Sequence, residues 1–389
     1  MIEKQKNEDC YAGFEQGPIR PPNEARSLLV RVTRGCTWNR CTFCPVYKTQ
    51  KFSARSAKHV IRDIDLVYEN IRTIDNIAAQ AGGVTADVVH RARAVVPPER
   101  WETFGAALGW KIAGGMRSVF LQDADALAIK PADLAGILAH LRERFPSIER
   151  ITSYSRARTI YRRKQSDLDT LKAAGLDRIH IGLESGSDEV LKLVDKGSTK
   201  AIQIEAGLKV KAAGIELSEY VMPGLGGTDL SQIHALETAD ALNRIGPDFI
   251  RMRTLALTPY APLYEMWESG RFHRCNDVEI ADEIAVMISR LDGISGMITS
   301  DHILNLFENL EGRLPEDRDL LLDILRGFLT LAPSRQRLYR LGRRCGVFRT
   351  LDDLRDGRKV ERAELMYANL GVTAENIDEI TDRLMMRFV

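Results

Sequence analysis

Apolar and polar positions follow two rhythms along this chain: short unbroken apolar runs, and longer stretches with apolar residues three and four apart. The first run, Ser27-Leu-Leu-Val-Arg-Val-Thr33, reads as a strand. From Ala57 to about Gln80, Val60, Ile64, Val67, Ile71, Ile74 and Ile77 recur at helical spacing and predict an amphipathic helix. Between 81 and 114, Gly82-Gly83 and Pro97-Pro98 interrupt helical pieces, which predicts a helical insertion before the next strand. Beyond it the alternation is regular. Strands are predicted at 118–122, 148–154, 178–183, 215–222 and 248–255, with helices at 131–145, 166–174, 187–195, 199–213 and 230–244.

Short apolar strands alternating with helices build a parallel sheet with right-handed crossovers. The six β/α units suit an open partial barrel or a doubly wound sheet equally well. Either way, an active site lies at the C-terminal ends of the strands. Past about residue 258 the alternation weakens into helices at 276–293 and 317–331, then an arginine-rich tail from Pro333. Ile377, Ile380, Leu384 and Phe388 place a last helix in that tail. The expected organisation is a proline-extended lead-in over 1–26, a core over 27–258, its helical continuation over 259–332, and a small basic helical appendix over 333–389.

A hydrophobic content of 44% in 389 residues is that of an ordinary globular chain of one large or two smaller domains. The net charge of +1 argues neither for nor against a nucleic-acid partner through the whole-protein field. No apolar run reaches membrane-spanning length and the N-terminus lacks a signal-like apolar stretch, so a cytoplasmic protein with no membrane partner is expected. Three of the six cysteines are isolated (Cys10, Cys275, Cys345), which fits a reducing compartment and argues against a disulfide framework.

The other three, Cys36, Cys41 and Cys44, stand at C-x4-C-x2-C just after the first strand. Three thiolates on one short loop suit three irons of a cubane cluster and leave its fourth iron free for another ligand. A structural zinc ordinarily wants a fourth Cys or His at similar spacing, and none of the seven histidines lies in the loop. Spacing alone leaves both metals open.

The loop with its strand, Val32-Thr33-Arg34-Gly35-Cys36 through Cys44, resembles the cluster loop of the radical S-adenosylmethionine (radical SAM) superfamily. The likeness is to its Elongator/coproporphyrinogen-oxidase-like branch and to anaerobic Fe–S oxidoreductases of unassigned substrate. The commonest superfamily spacing is one residue shorter in the first gap. The resemblance covers about residues 25–260 and implies an α/β fold, a radical SAM (β/α)6 partial barrel with a C-terminal helical extension. It implies a [4Fe–4S] cluster on Cys36, Cys41 and Cys44, S-adenosylmethionine as cofactor, and an electron donor such as flavodoxin or ferredoxin. Reductive cleavage then gives a 5′-deoxyadenosyl radical that abstracts hydrogen from a substrate.

The same resemblance implies that Phe43 packs beside the adenine, and that Gln122, Asp123 and Asp125 stand where a Gly-Gly-Glu-type turn receives the amino group. It places Glu184, in Gly182-Leu-Glu-Ser-Gly186, against the cofactor, Lys196 against its carboxylate or ribose, and Gly224 beside the adenine. Ser153 and Tyr154 add hydroxyls to the same rim from opposite faces of their strand. His180 is expected in the core, and His302 is the candidate catalytic residue. With no recognisable RNA-binding module, acyltransferase domain or N-terminal cobalamin-type domain, a small-molecule substrate is favoured over tRNA. The tail arginines (Arg335, Arg337, Arg340, Arg343, Arg344, Arg349) read as a solvated helical face or an anionic-partner patch. The contrasting class is a zinc- or Fe–S-stabilised RNA-binding module without catalysis.

Overall fold

The computed structural model describes residues 11–388, so Cys10 and the first part of the lead-in lie outside the described residues. The chain forms two compact units, one of residues 1–39, 49–180 and 209–216, the other of 40–48, 181–208 and 217–389.

In the first unit, β1 (Leu28–Arg31) runs parallel to β4 (Ser118–Gln122), which runs parallel to β5 (Arg150–Ser155). Between β1 and β4 in the chain, β2 (Thr33–Arg34) and β3 (Ser53–Ala54) form an antiparallel ribbon. The single strand predicted over 27–33 is therefore divided at Val32. Its N–H donates to the Gln122 carbonyl at 2.6 Å, while its own carbonyl accepts from the Arg55 N–H at 3.0 Å. Helix α1 (Ala57–Ala81) is capped by the Ser56 side chain on the His59 N–H and closed by Gly82 at φ 74°. It buries Val60, Ile64, Val67, Ile71 and Ile74, the stripe its period predicts. Residues 81–114 contain helices α2 (Ala86–Val95) and α3 (Trp101–Gly114). Helix α4 (Pro131–Arg144) follows β4, and α5 (Ala157–Arg162) and α6 (Gln165–Ala173) follow β5.

Strand β6 (Arg178–Glu184) begins in the first unit and ends in the second. It leads to α7 (Asp188–Leu193) and α8 (Lys200–Ala212). In the second unit β7 (Glu216–Val221) is parallel to β8 (Phe249–Met252), with α9 (Gly227–Ile245) between them in the chain. The strand predicted over 248–255 stops at Met252, because Asn305 Oδ1 takes both the backbone N–H (2.9 Å) and the hydroxyl (3.0 Å) of Thr254. Helices α10 (Pro262–Glu268) and α11 (Asp277–Ser289) precede β9 (Met297–Thr299), which is parallel to β8 and antiparallel to β10 (Gly312–Arg313). Helices α12 (Arg318–Leu329), α13 (Pro333–Arg344), α14 (Gly357–Asn369) and α15 (Ile377–Met385) complete the chain.

The class is α/β with a mostly parallel sheet and a helical C-terminal extension, as the alternation predicts. The tail corrects one expectation. Arg340, Arg343 and Arg344 are buried, not a solvated face. Arg340 and Arg344 grip Asp277, and Arg343 and Arg344 donate to the carbonyls of Leu304, Asn305 and Leu306. Among the described residues no helix is long and apolar enough to cross a membrane.

Candidate functional site

In the first unit, β1 aims Arg31 at the end of β4. Its Nε and Nη2 donate to Asp123 Oδ2 at 2.9 and 2.7 Å, and the Gly35 N–H reaches the same oxygen at 3.3 Å, one residue before Cys36. Asp123 is fully buried, and its Oδ1 has no hydrogen-bond partner among the described residues. Buried carboxylate oxygens are ordinarily satisfied; this one packs against Gly17, where a β-carbon would lie 1.8 Å from it. The neighbouring candidates differ. The Gln122 amide accepts from the Gly17 N–H (2.7 Å) and donates to the carbonyls of Gly17 (3.1 Å) and Ile19 (2.5 Å), which ties down the lead-in. Asp125 accepts from Thr37 (2.7 Å), Ser155 (2.9 Å), Thr159 (2.6 Å) and the Arg156 N–H (3.2 Å). Of the three strand-end residues singled out in the sequence, Asp123 has the oxygen left over.

Ser153 is buried, with its hydroxyl on the Tyr154 carbonyl at 3.0 Å. Tyr154 is half-buried, its ring centroid 5.3 Å from those of both Phe120 and His180. Sequence reasoning missed Glu15, a lead-in residue with no motif around it. Its carboxylate meets Arg34 (2.5 and 2.7 Å), Arg55 (3.3 Å) and Arg31 (3.5 Å). Burial pushes the Glu15 carboxyl up, but the Arg34 hydrogen bond and the three guanidinium charges outweigh it and hold the pKa below the ordinary value.

In the second unit, the Cys44 N–H donates to the Cys41 carbonyl at 3.3 Å, and Lys48 Nζ donates to the same oxygen at 2.7 Å. The turn is pinned by the Thr42 N–H on the Val194 carbonyl and the Leu263 N–H on the Thr42 carbonyl, both 2.9 Å. Phe43 packs on the apolar cluster of Val194, Met222, Leu225 and Leu263, with Lys196 Nζ 5.7 Å from its ring centroid. Lys196 Nζ also donates to Glu184 Oε1 at 2.9 Å. Glu184 sits at φ 63°, a left-handed conformation that a β-carbon disfavours and that surrounding contacts must hold.

The glycines on either side explain the motif. A β-carbon at Gly182 would lie 2.2 Å from Glu184 Oε1 and 3.0 Å from Lys196 Nζ, on top of the ion pair. At Gly186 it would lie 2.2 Å from the Glu237 carbonyl oxygen and 2.7 Å from Thr238 Cα, both backbone atoms of α9. Backbone in a packed helix does not yield as a side-chain tip does. Gly186→Ala is therefore expected to destabilise the protein by about 1–3 kcal/mol, read as a lowered urea midpoint; an unchanged midpoint contradicts the close approach.

Glu219 on β7 is fully buried, and neither oxygen has a well-formed hydrogen bond among the described residues. Burial pushes its carboxyl well above the ordinary value; Lys196 lowers it and Glu184 raises it, and burial prevails. Nothing in the run Leu217-Ser-Glu-Tyr220 distinguishes it from a solvent-facing strand residue. The Gly224 N–H donates to the buried Glu283 carboxylate at 2.7 Å. His302 is half-buried, and its Nδ1 accepts the Leu304 N–H at 3.3 Å. Burial and then the Arg253 charge push its pKa down to about 4, so the ring is neutral at neutral pH. Cys275 is buried, its thiol pushed up to about 12 by burial and Glu283, an inert side chain.

Cys36, Cys41 and Cys44 are half-buried and form no disulfide. Among the described residues no three His, Cys, Asp or Glu side chains stand together as a closed metal site. Ligand sets of this kind commonly close only on loading. The donor chemistry fits an Fe–S cluster: three soft sulfurs, with no carboxylate or imidazole in the loop. Asp123 supplies a carboxylate at the end of β4, the acceptor type an ammonium requires.

The radical SAM superfamily model matches residues 30–239. The tRNA uridine(34) acetyltransferase of Methanocaldococcus infernus is 25% identical over 122 residues, 31% of this chain and 23% of that protein. The 4′-phospho-dehydrooxetanocin synthase of Priestia megaterium is 26% identical over 233 residues, 56% of this chain and 26% of that protein. The chain thus spans about a quarter of the length of these curated relatives. Among solved structures, coproporphyrinogen III oxidase of Escherichia coli, a radical SAM enzyme, superposes with a TM-score of 0.42 at 16% identity, covering 74% of this chain and 56% of that one.

Proposed function

This chain belongs to the radical SAM superfamily, and on that premise we propose that Cys36, Cys41 and Cys44 hold its [4Fe–4S] cluster. It is an enzyme of that class, with the cluster and S-adenosylmethionine as cofactors. When bound, they supply one-electron cleavage of the sulfonium bond and a 5′-deoxyadenosyl radical that takes a hydrogen atom from the substrate. The observation that carries the reading is the set of three unbridged thiols on one loop.

The protein's own part is to bind, orient and exclude water. The Asp123 carboxylate, with Oδ2 fixed by Arg31, would accept from the cofactor's ammonium. Lys196, oriented by Glu184, faces the carboxylate or ribose. Phe43 and the apolar residues around it shield the adenine from water. Ser153, Tyr154 and Gly224 complete the rim. A flavodoxin- or ferredoxin-like protein delivers the electron.

The substrate is a small molecule. Burial of Arg340, Arg343 and Arg344 in the tail removes the most basic stretch from service as an RNA face, and the net charge of +1 offers no general attraction. A tRNA substrate is the second reading, supported by the likeness to the tRNA uridine(34) acetyltransferases. Lys196→Gln tests the cofactor assignment. It is expected to leave iron content unchanged and weaken S-adenosylmethionine binding about tenfold in equilibrium dialysis. Unaltered affinity removes Lys196 from the cofactor site.

A further inference from the structure

The first unit contains a cavity of about 470 Å³ lined by Thr37, Trp38, Arg156, Arg158, Arg162 and Arg163, among others. Four guanidiniums share it, and none of the described lining residues is acidic. We propose that this cavity binds the phosphate of a small phosphomonoester, the substrate of the reaction assigned above. The proposal rests on that assignment, because Thr37 and Trp38 directly follow Cys36 in the cysteine loop.

The walls are built in advance. The fully buried Asp125 carboxylate lies behind them and accepts from the hydroxyls of Thr37 and Thr159 and from the Arg156 N–H, which fixes the loop to α5. Arg156 Nη1 then approaches Thr37 Oγ1 at 3.4 Å, and its guanidinium carbon lies 5.5 Å from the Trp38 ring centroid. Arg163 Nη2 is held between the Leu127 and Ile129 carbonyls, each at 2.5 Å. Arg162 is exposed at the end of α5.

A single carboxylate on the ligand matches one planar guanidinium fork. A phosphomonoester brings nearly two charges and three acceptor oxygens, the match for several planar guanidiniums at once. The volume is that of a small-molecule pocket, and the Trp38 face gives the rest of the ligand an apolar plane.

The test is isothermal titration of the anaerobically reconstituted full-length protein at low salt. The probes are phenyl phosphate, phenol and a single-stranded RNA 20-mer. Phenyl phosphate is expected to bind and phenol not. Arg156→Gln with Arg158→Gln is expected to weaken phenyl phosphate at least tenfold, while Arg349→Gln, outside the cavity, is expected to bind as wild type. Arg162→Glu changes an exposed residue, leaves the fold alone, and is expected to weaken binding similarly. Absent phenyl phosphate binding, or binding indifferent to these arginines, overturns the proposal. So does RNA that binds more tightly and is released by the same substitutions, which assigns the cavity to a nucleic-acid backbone. Iron content is measured on the same samples. Failed cluster loading with phosphate binding intact strikes the proposed reaction alone, and a loaded cluster with no phosphate binding strikes this inference alone.

Discussion

Cys41→Ala is expected to leave a folded protein that no longer assembles its cluster. Two thiolates cannot hold a cubane that three are proposed to hold, so iron is expected to fall from about four per reconstituted chain to near zero, and with it all S-adenosylmethionine cleavage. The fold survives because the turn is built from backbone. The Cys41 carbonyl receives Lys48 Nζ and the Cys44 N–H, and neither contact involves the removed sulfur. Cys275→Ala is the matched control: that thiol is buried, poorly ionised and distant in sequence from the motif, and iron content stays at the wild-type level. Iron and sulfide analysis with the visible absorption spectrum reads both variants. A full complement of iron in Cys41→Ala would remove it from the ligand set.

Asp277→Ala is expected to be the most damaging single change to stability, at about 3–5 kcal/mol in urea unfolding. Asp277 is buried at the start of α11, where Oδ1 accepts from Arg344 Nη2 at 2.7 Å and Oδ2 from Arg340 Nε at 3.0 Å. Both arginines are themselves buried, so truncation leaves Arg344 without its carboxylate and Arg340 with Asp378 alone in a low-dielectric interior. Burial pushes the Asp277 carboxyl up, but the charges of Arg344 and Arg340 outweigh it and hold it far below the carboxylate range. A folded-state pKa below the unfolded value means that this stabilisation is complete above about pH 4 and is lost as pH falls towards the folded value. The wild type should therefore lose stability steeply below about pH 4, and Asp277→Ala should lack that part of the slope. A cost under about 1 kcal/mol contradicts the account of the tail as a buried ionic tie.

What the sequence revealed and what it concealed divide along the range of the interactions. Helix α1 was legible because its stripe and its Ser56 and Gly82 caps are local. The family was legible in the spacing of the cysteine loop, and Gly182-Leu-Glu-Ser-Gly186 stood out because close approach demands glycine, although the atoms approached emerge only from the fold. The break of the first strand at Val32 was not, since its cause is Arg55 on a later segment. Nor was the sorting of Gln122, Asp123 and Asp125. All three are polar residues at a strand end, and their partners (Gly17, Arg31, Thr159) lie far off in the chain. The tail arginines misled for the same reason: a basic helical run looks solvated until Asp277 is placed against it. Glu219 carried no signal, because burial is not written in one carboxylate among alternating strand residues.

The most direct test of the central claim is formation of 5′-deoxyadenosine. The reconstituted protein is held without oxygen, given dithionite and S-adenosylmethionine, and the products are separated by chromatography. The account predicts 5′-deoxyadenosine and methionine from the wild type and neither from Cys41→Ala. A protein that retains zinc in place of iron, or one that carries the full cluster, binds S-adenosylmethionine and leaves it intact with and without candidate phosphomonoesters, contradicts it.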